Sequence, residues 1–450
     1  MRDKVGYMFG DFGNDFTFLL SSSFLMKFYT DVMGVDGYIV GIIMMVARFV
    51  DAFTDVAMGR ICDRSKMTPV GKFKPWIRRM CGPVVIVSFL MYQSGLSGLP
   101  QWAKIVYLTI TYILWGSVFY TSINIPYGSM ASAISDDPGD RQSLSTFRTM
   151  GGMFAGAFIM AGVPLMIYDK VNGNDVLNGK RFTIIAGVCS ILAFICYILC
   201  YSLTTERVRT EASADAMRQN SVGNMLKNAL KNRALISIIV ASVFMLVSQL
   251  TIQQMANYVF PNYYGNAKAQ SLSMVVMGGG MLVAALIAKP LAKKIGKAEM
   301  SVIANMLAGV VCIILYFVRP QNVWVYVSFQ FLSWFGLGVF SMVTWALITD
   351  VIDYSAREDG SVYALYSFAR KLGQAASAGL TGALLSLIGY DQSTAFTPEV
   401  KEGIFDISTL VPAASFIILA LILWFWYPLH KKQVEENVAI LREKHSSGKE

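Results

Sequence analysis

Long apolar runs separated by short polar breaks set the pattern of this 450-residue chain. A helix needs about 20 apolar residues to cross a bilayer. Twelve stretches approach that length: 5–30, 38–62, 77–98, 104–132, 148–168, 183–203, 232–258, 270–290, 300–318, 322–349, 362–388 and 407–429. Backbone N–H and C=O groups cannot be left unpaired in lipid, so these stretches read as helices. They are too long and too uniformly apolar for the alternating strands of an outer-membrane barrel. The pattern predicts an all-α polytopic membrane protein with 12 transmembrane helices. The longest polar interruption runs from Thr204 to Arg233. It divides the chain into a six-helix bundle at 1–203, a central loop at 204–231, a second six-helix bundle at 232–430 and a tail at 431–450.

Composition agrees with lipid as the main solvent. Only 15% of residues are charged and 55% are hydrophobic, against about 25% charged in soluble domains; the mean hydropathy is +0.50. The net charge of +9 sits in short loops, which points to a membrane surface rather than nucleic acid. Arg60 to Arg79 holds seven Lys/Arg, Arg207 to Arg233 six, Lys289 to Lys297 four and the tail five, while Asp31 to Gly37 holds none and Asp391 to Asp406 one. The positive-inside rule then predicts a plasma (inner) membrane protein with both termini cytoplasmic. No cleavable leader is visible, because Asp11 and Asp15 break the first apolar run. Six cysteines lie in or beside apolar segments without metal-site spacing, and His430 and His445 are the only histidines. Thiol frameworks, zinc sites and histidine catalysis are thereby set aside. No nucleophile–base arrangement is legible, so no catalytic residue, enzyme activity or cofactor is expected.

The two halves resemble each other weakly. SLSTFRTMGG opens the fifth stretch and LYSFARKLGQ the eleventh, placing Arg148 opposite Arg370 and Lys371. Two six-helix halves with internal likeness are the mark of the major facilitator fold, whose substrate site lies near the midplane.

An ionisable residue inside a span costs about 2.5–3.5 kcal/mol on insertion scales unless it meets water or a partner. This chain keeps Asp15, Arg48, Asp51, Asp55, Arg148 and Lys371 in or at the edge of spans. Asp51 and Asp55 share one helix face, with Cβ atoms about 5–6 Å apart. Two carboxylates that close cannot both stay ionised cheaply, so one takes a proton or a cation. That is the chemistry of a symporter, with sodium as the metal at Asp51 and Asp55 if the coupling ion is not a proton. Thr54, Thr121 and Asn124 add neutral oxygens. A closed Arg48–Asp51 pair that only joins helices is the plainer alternative. Asp15 reads as an acceptor of sugar hydroxyls, as a salt-bridge partner of Arg148, or as both. Asp11, nearer the helix end, reads as structural. Lys27 reads as snorkelling outward. Tyr120 and Trp345 are candidate stacking surfaces for the apolar face of a sugar.

The segments YMFGDFGNDFTF, FYTDVMGV, VARFVDAFTDVAMGRICD, GKFKPW, TYILWG, NIPYGSM and TDVIDY resemble those of the glycoside–pentoside–hexuronide:cation symporters, in order along essentially the whole chain. In melibiose-carrier-like members two helix 2 carboxylates bind the cation, and these match Asp51 and Asp55. An Asn of that site is Thr54 here, and its helix 4 Thr matches Thr121. The sugar-binding Asp of helix 1 matches Asp15. A second sugar-binding Asp is replaced by Asn124, and the Trp of that motif by Gly128. The helix 5 Arg and the helix 11 Lys match Arg148 and Lys371. The resemblance implies a secondary symporter that imports a sugar or glycoside with Na+ or H+ by alternating access. Its partners are then a small sugar, the cation and the bilayer. An anionic hexuronide is the rival substrate, and a non-transporting sugar sensor the rival from another class.

Overall fold

Each of the twelve apolar stretches holds a helix in the computed structural model, the third only as far as Leu90; the structure describes residues 1–208, 232–355 and 359–436. In chain order they are α1 Arg2–Asp31, α2 Gly37–Arg64, α3 Lys74–Leu90, α4 Gln101–Ile134, α5 Gly139–Ile167, α6 Gly179–Leu203, α7 Arg233–Tyr263, α8 Ala267–Ile295, α9 Lys297–Val318, α10 Val323–Ser355, α11 Asp359–Leu387 and α12 Pro398–Trp426. Among the described residues, eight helices are long and apolar enough to cross a membrane: α4 to α10 and α12. The other four carry the charges singled out above or lie short. Asp11, Asp15 and Lys27 interrupt α1; Arg48, Asp51 and Asp55 interrupt α2; Arg370 and Lys371 lie in α11. The hydropathy that defines a span is lost where polar chemistry is placed.

Four helices contain a wider π turn: Leu114–Tyr120 in α4, Ala157–Gly162 in α5, Val259–Tyr263 in α7 and Ile422–Trp426 in α12. Such turns insert one residue and re-aim the side chains that follow, often at functional sites.

Two compact units divide the chain. The first holds Met1–Ala214, Gln253–Met274 and Ala378–Ile404. Within it α1 packs on α5 and α6, α2 on α4, and α3 on α4 and α6. Phe16, Leu20, Phe24, Leu25 and Phe28 of α1 are buried there. A hairpin absent from the sequence-based expectation, β1 Tyr168–Val171 and β2 Asn174–Leu177, joins α5 to α6. Asn172 and Gly173 both take positive φ (51° and 83°), which the two-residue hairpin turn requires. Asp175 of β2 accepts the Ala267 N–H at 2.6 Å and so caps α8. Lys27 does not snorkel: it is 1% exposed and pairs with Asp31. The second unit holds Asp215–Ile252, Val275–Ser377 and Phe405–Glu450. In it α9 packs on α10, and Arg233 donates to the Phe425 and Trp426 carbonyls that end α12.

The GKFKPW loop is held by the segment that follows α6. The Glu206 carboxylate accepts the backbone N–H groups of Lys72, Phe73 and Lys74 at 2.6, 3.0 and 2.7 Å, an anion at the N-terminus of α3. Gly71 sits at φ +119°, and a Cβ there would strike that carboxylate. Glu206→Ala is expected to destabilise the protein by about 2–3 kcal/mol, because hydrogen bonds to charged groups contribute about 1.5–3 kcal/mol each and water recovers part. Thermal melting in detergent reads this; an unchanged midpoint would show that the loop stands without the clamp.

Candidate functional site

Two polar clusters form in the first unit, joined by aromatic rings. The first lies between α2 and the π turn of α4. Asp51 and Asp55 stand one turn apart on α2. Arg48 Nη1 donates to Asp51 Oδ2 at 2.9 Å, and both side chains are buried. Ser117 donates to the other oxygen, Oδ1, at 2.5 Å. Thr121 Oγ1 lies 2.8 Å from Asp55 Oδ1 and 3.1 Å from Gly116 O. Ser117 and Thr121 thus each meet one carboxylate of the pair. Thr54 turns back on its own helix, donating to Asp51 O at 3.2 Å. Arg48 therefore balances Asp51 within one helix, and Asp55 is the more exposed carboxylate. Among the described residues no group of three His, Cys, Asp or Glu could hold a metal ion. Two carboxylates supplemented by hydroxyls suit a small monovalent cargo ion or a proton.

The second cluster lies between α1, α4, α5 and α6. Arg148 Nε donates to Asp11 Oδ1 at 2.9 Å. The expected Arg148–Asp15 bridge is thereby corrected: the arginine takes the carboxylate one turn nearer the start of α1. The geometry follows from Gly152, where a Cβ would lie 2.8 Å from Asp15 Oδ2 and 3.1 Å from Asp11 Oδ2. The glycine lets α5 approach until both carboxylates border one space. Asp15 makes no hydrogen bond to a described residue and is half-buried. The Arg148 side chain is 39% exposed, and its guanidinium lies over the Tyr127 ring, 5.2 Å from the centroid. Asn124 Oδ1 accepts from Asn14 at 3.2 Å, and Asn14 Oδ1 accepts from Tyr197 at 2.9 Å.

Tyr120 connects the clusters. Its ring stacks on Phe18 with centroids 5.6 Å apart and meets Trp115 at 5.3 Å. Phe18 in turn lies 5.4 Å from the Arg48 guanidinium. Aromatic packing thus runs from Arg48 through Phe18 to Tyr120 and Trp115.

Asp51, Asp55, Thr121, Asp15, Asn124, Arg148 and Tyr120 thus fall in one unit around two adjoining polar groups. Lys371 is on α11 in the second unit, half-buried. Trp345 is on α10, and its side chain lies outside the described residues. Ser117 and Asn14 escaped the sequence reading, since a small polar residue in a span ordinarily only packs. Asp11 was legible as a charge but assigned no part in the site.

The chain matches the family described as MFS/sugar transport protein over residues 6–431. A glucuronide carrier protein homolog of Escherichia coli (strain K12) is 29% identical over 447 residues, covering 97% of this chain and 94% of that one. YjmB, an uncharacterized symporter of Bacillus subtilis (strain 168), is 29% identical over 456 residues, covering 99% and 96%. The crystal structure of a D-xylose–proton symporter superposes with a TM-score of 0.62 at 14% identity, over 95% of this chain and 96% of that one, which shows the shared fold. The motif resemblance to glycoside–pentoside–hexuronide:cation symporters therefore holds along the whole length, and the chain belongs to the MFS/sugar transport protein family, whose members are membrane transporters rather than enzymes.

Proposed function

We propose that the protein imports a neutral sugar or glycoside together with Na+ or H+ by alternating access. The observation that carries this reading is the pairing of the two α2 carboxylates with two α4 hydroxyls, Ser117 in the π turn and Thr121 just after it, beside a half-buried Asp15. Ser117 and Arg48 hold Asp51; the cation or proton enters at Asp55, with Thr121 as a neutral oxygen ligand. Thr54 stays at the rim of that site through its helix. Charge gained there reaches the sugar cluster through Arg48, Phe18 and Tyr120. Asp15 and Asn124 accept sugar hydroxyls, the outer edge of Arg148 donates to them, and Tyr120 gives an apolar face. Trp345 and Lys371 keep the roles the motifs imply. No cofactor enters this scheme.

A neutral substrate is favoured because Asp11 and Asp15 border the same space as a single guanidinium. The rival hexuronide reading draws on the exposed edge of Arg148 and on the glucuronide carrier homolog among the relatives. Counterflow in proteoliposomes against a panel of glycosides and hexuronides, with and without sodium, tests the proposal. Exchange of a glycoside is expected, and silence across the panel would sink it.

The twelve helices are read as twelve spans in two six-helix halves, with the bilayer as partner and both ends of the chain cytoplasmic in the plasma membrane. A cysteine placed at Lys72 should then resist an impermeant thiol reagent in intact cells and react in inverted vesicles. Labelling from outside would reverse the topology. The six native cysteines are buried, so the added thiol reports alone.

A further inference from the structure

A charge at the far end of α1 takes no part in either cluster. Lys27 is 1% exposed, yet its ammonium uses all three of its donors. It reaches Asp31 Oδ2, Asn262 Oδ1 and the Tyr390 hydroxyl, each at 2.7 Å. The Tyr258 ring covers it, 4.3 Å from the centroid. Tyr390 passes its own proton to Asp31 Oδ1 at 2.8 Å, and Thr30 meets the Tyr258 hydroxyl at 3.1 Å. Tyr258 and Asn262 lie at the end of α7, in or beside its π turn, and Tyr390 follows α11. All belong to the first unit. A parallel contact runs from Asn257 to Ser23 O at 2.7 Å.

The partners fall into two kinds. Asp31 stands four residues from Lys27 on the same helix, so that pair survives any movement of its neighbours. Asn262 and Tyr390 come from segments 235 and 363 residues away. A buried ammonium must keep its donors satisfied. If the ends of α7 and α11 withdraw, water has to replace Asn262 and Tyr390. Two states are then stable: a dry one closed by side chains and a wet one in which the Lys27–Asp31 pair faces water. A half-open dry state leaves donors unmet and is unfavourable. An apolar seam would lack this all-or-none character, because its exposure grows smoothly with area.

We propose that Lys27 is the bolt of an outer gate. Its ammonium joins α1 to the outer ends of α7 and α11 while that side is shut, and passes to water when it opens. This rests on the alternating-access reading above. Cysteines at Gly98 and Gln392, both exposed in the first unit, carry spin labels for pulsed distance measurement in nanodiscs. The unmodified gate should give one short distance. Lys27→Met, Asn262→Leu and Tyr390→Phe should each add a longer distance, raising the long-to-short ratio at least about tenfold. The double variant Lys27→Met/Asp31→Asn avoids a lone buried carboxylate and should do the same if Lys27→Met alone folds poorly. Unchanged distances in all of these, or lower melting temperatures with unchanged distances, would overturn the gate. If wild-type distances ignore every cation and glycoside while the variants still open, the gate stands and the symport reading falls.

Discussion

Asp55→Cys is expected to reduce cation-driven accumulation to simple equilibration while leaving glycoside exchange measurable. The proposed role of Asp55 is to hold the cation or proton beside Thr121, not to touch sugar. A membrane potential of 100 mV supplies about 2.3 kcal/mol per charge, which supports roughly 50-fold accumulation at one charge per sugar. Loss of the ion removes that factor whole. Asp51→Cys should behave differently. It strips the buried Arg48 guanidinium of its in-helix carboxylate and Ser117 of its acceptor. Removing one partner of a buried pair costs about 3–5 kcal/mol, so this variant should lose folded protein as well as coupling. Transport assays corrected for the amount of folded carrier separate the two. Uphill accumulation by Asp55→Cys would show that the ion is held elsewhere.

Asp15→Asn should weaken binding of a neutral glycoside by about 10- to 150-fold. The carboxylate borders the space opened by Gly152 and makes no hydrogen bond to a described residue, so its acceptor capacity is available to a ligand. A charge-assisted hydrogen bond contributes about 1.5–3 kcal/mol, and the amide restores only part of it. A hexuronide carrier gives the opposite sign. There the amide relieves repulsion, glucuronide binding tightens, and Lys371→Gln weakens it instead. Equilibrium binding of a glycoside and its matching glucuronide to both variants decides the substrate class. Tighter glucuronide binding by Asp15→Asn would contradict the neutral reading.

The sequence and the structure agree most closely where a single helix settles the matter. The Asp51–Asp55 spacing places two carboxylates on one face whatever α2 packs against, and a charge in an apolar run stands out by its desolvation cost alone. Long-range partners are another matter. Asp11 and Asp15 lie one turn apart, and nothing in α1 tells Arg148, 137 residues away, which of them it will meet. The approach of α5 at Gly152 decides it. Ser117 and Asn14 look like packing residues until the π turn and α6 bring them to their partners. Lys27 was expected to snorkel, and its burial by Tyr258, Asn262 and Tyr390 depends on the ends of α7 and α11, which no local pattern in α1 reveals. The hairpin at Asn172–Gly173 was missed because it lies in a short break between two apolar runs.

Gradient-driven uptake by the purified wild-type protein in proteoliposomes reads cation coupling itself. A sodium gradient and a proton gradient are imposed separately, each with the membrane potential clamped. A glycoside identified by counterflow should accumulate well above its outside concentration under one of these gradients. The accumulation should vanish when an ionophore collapses that gradient, while exchange continues. Equilibration at unit ratio, indifferent to both ions and to voltage, would contradict symport and leave a carrier that does not couple.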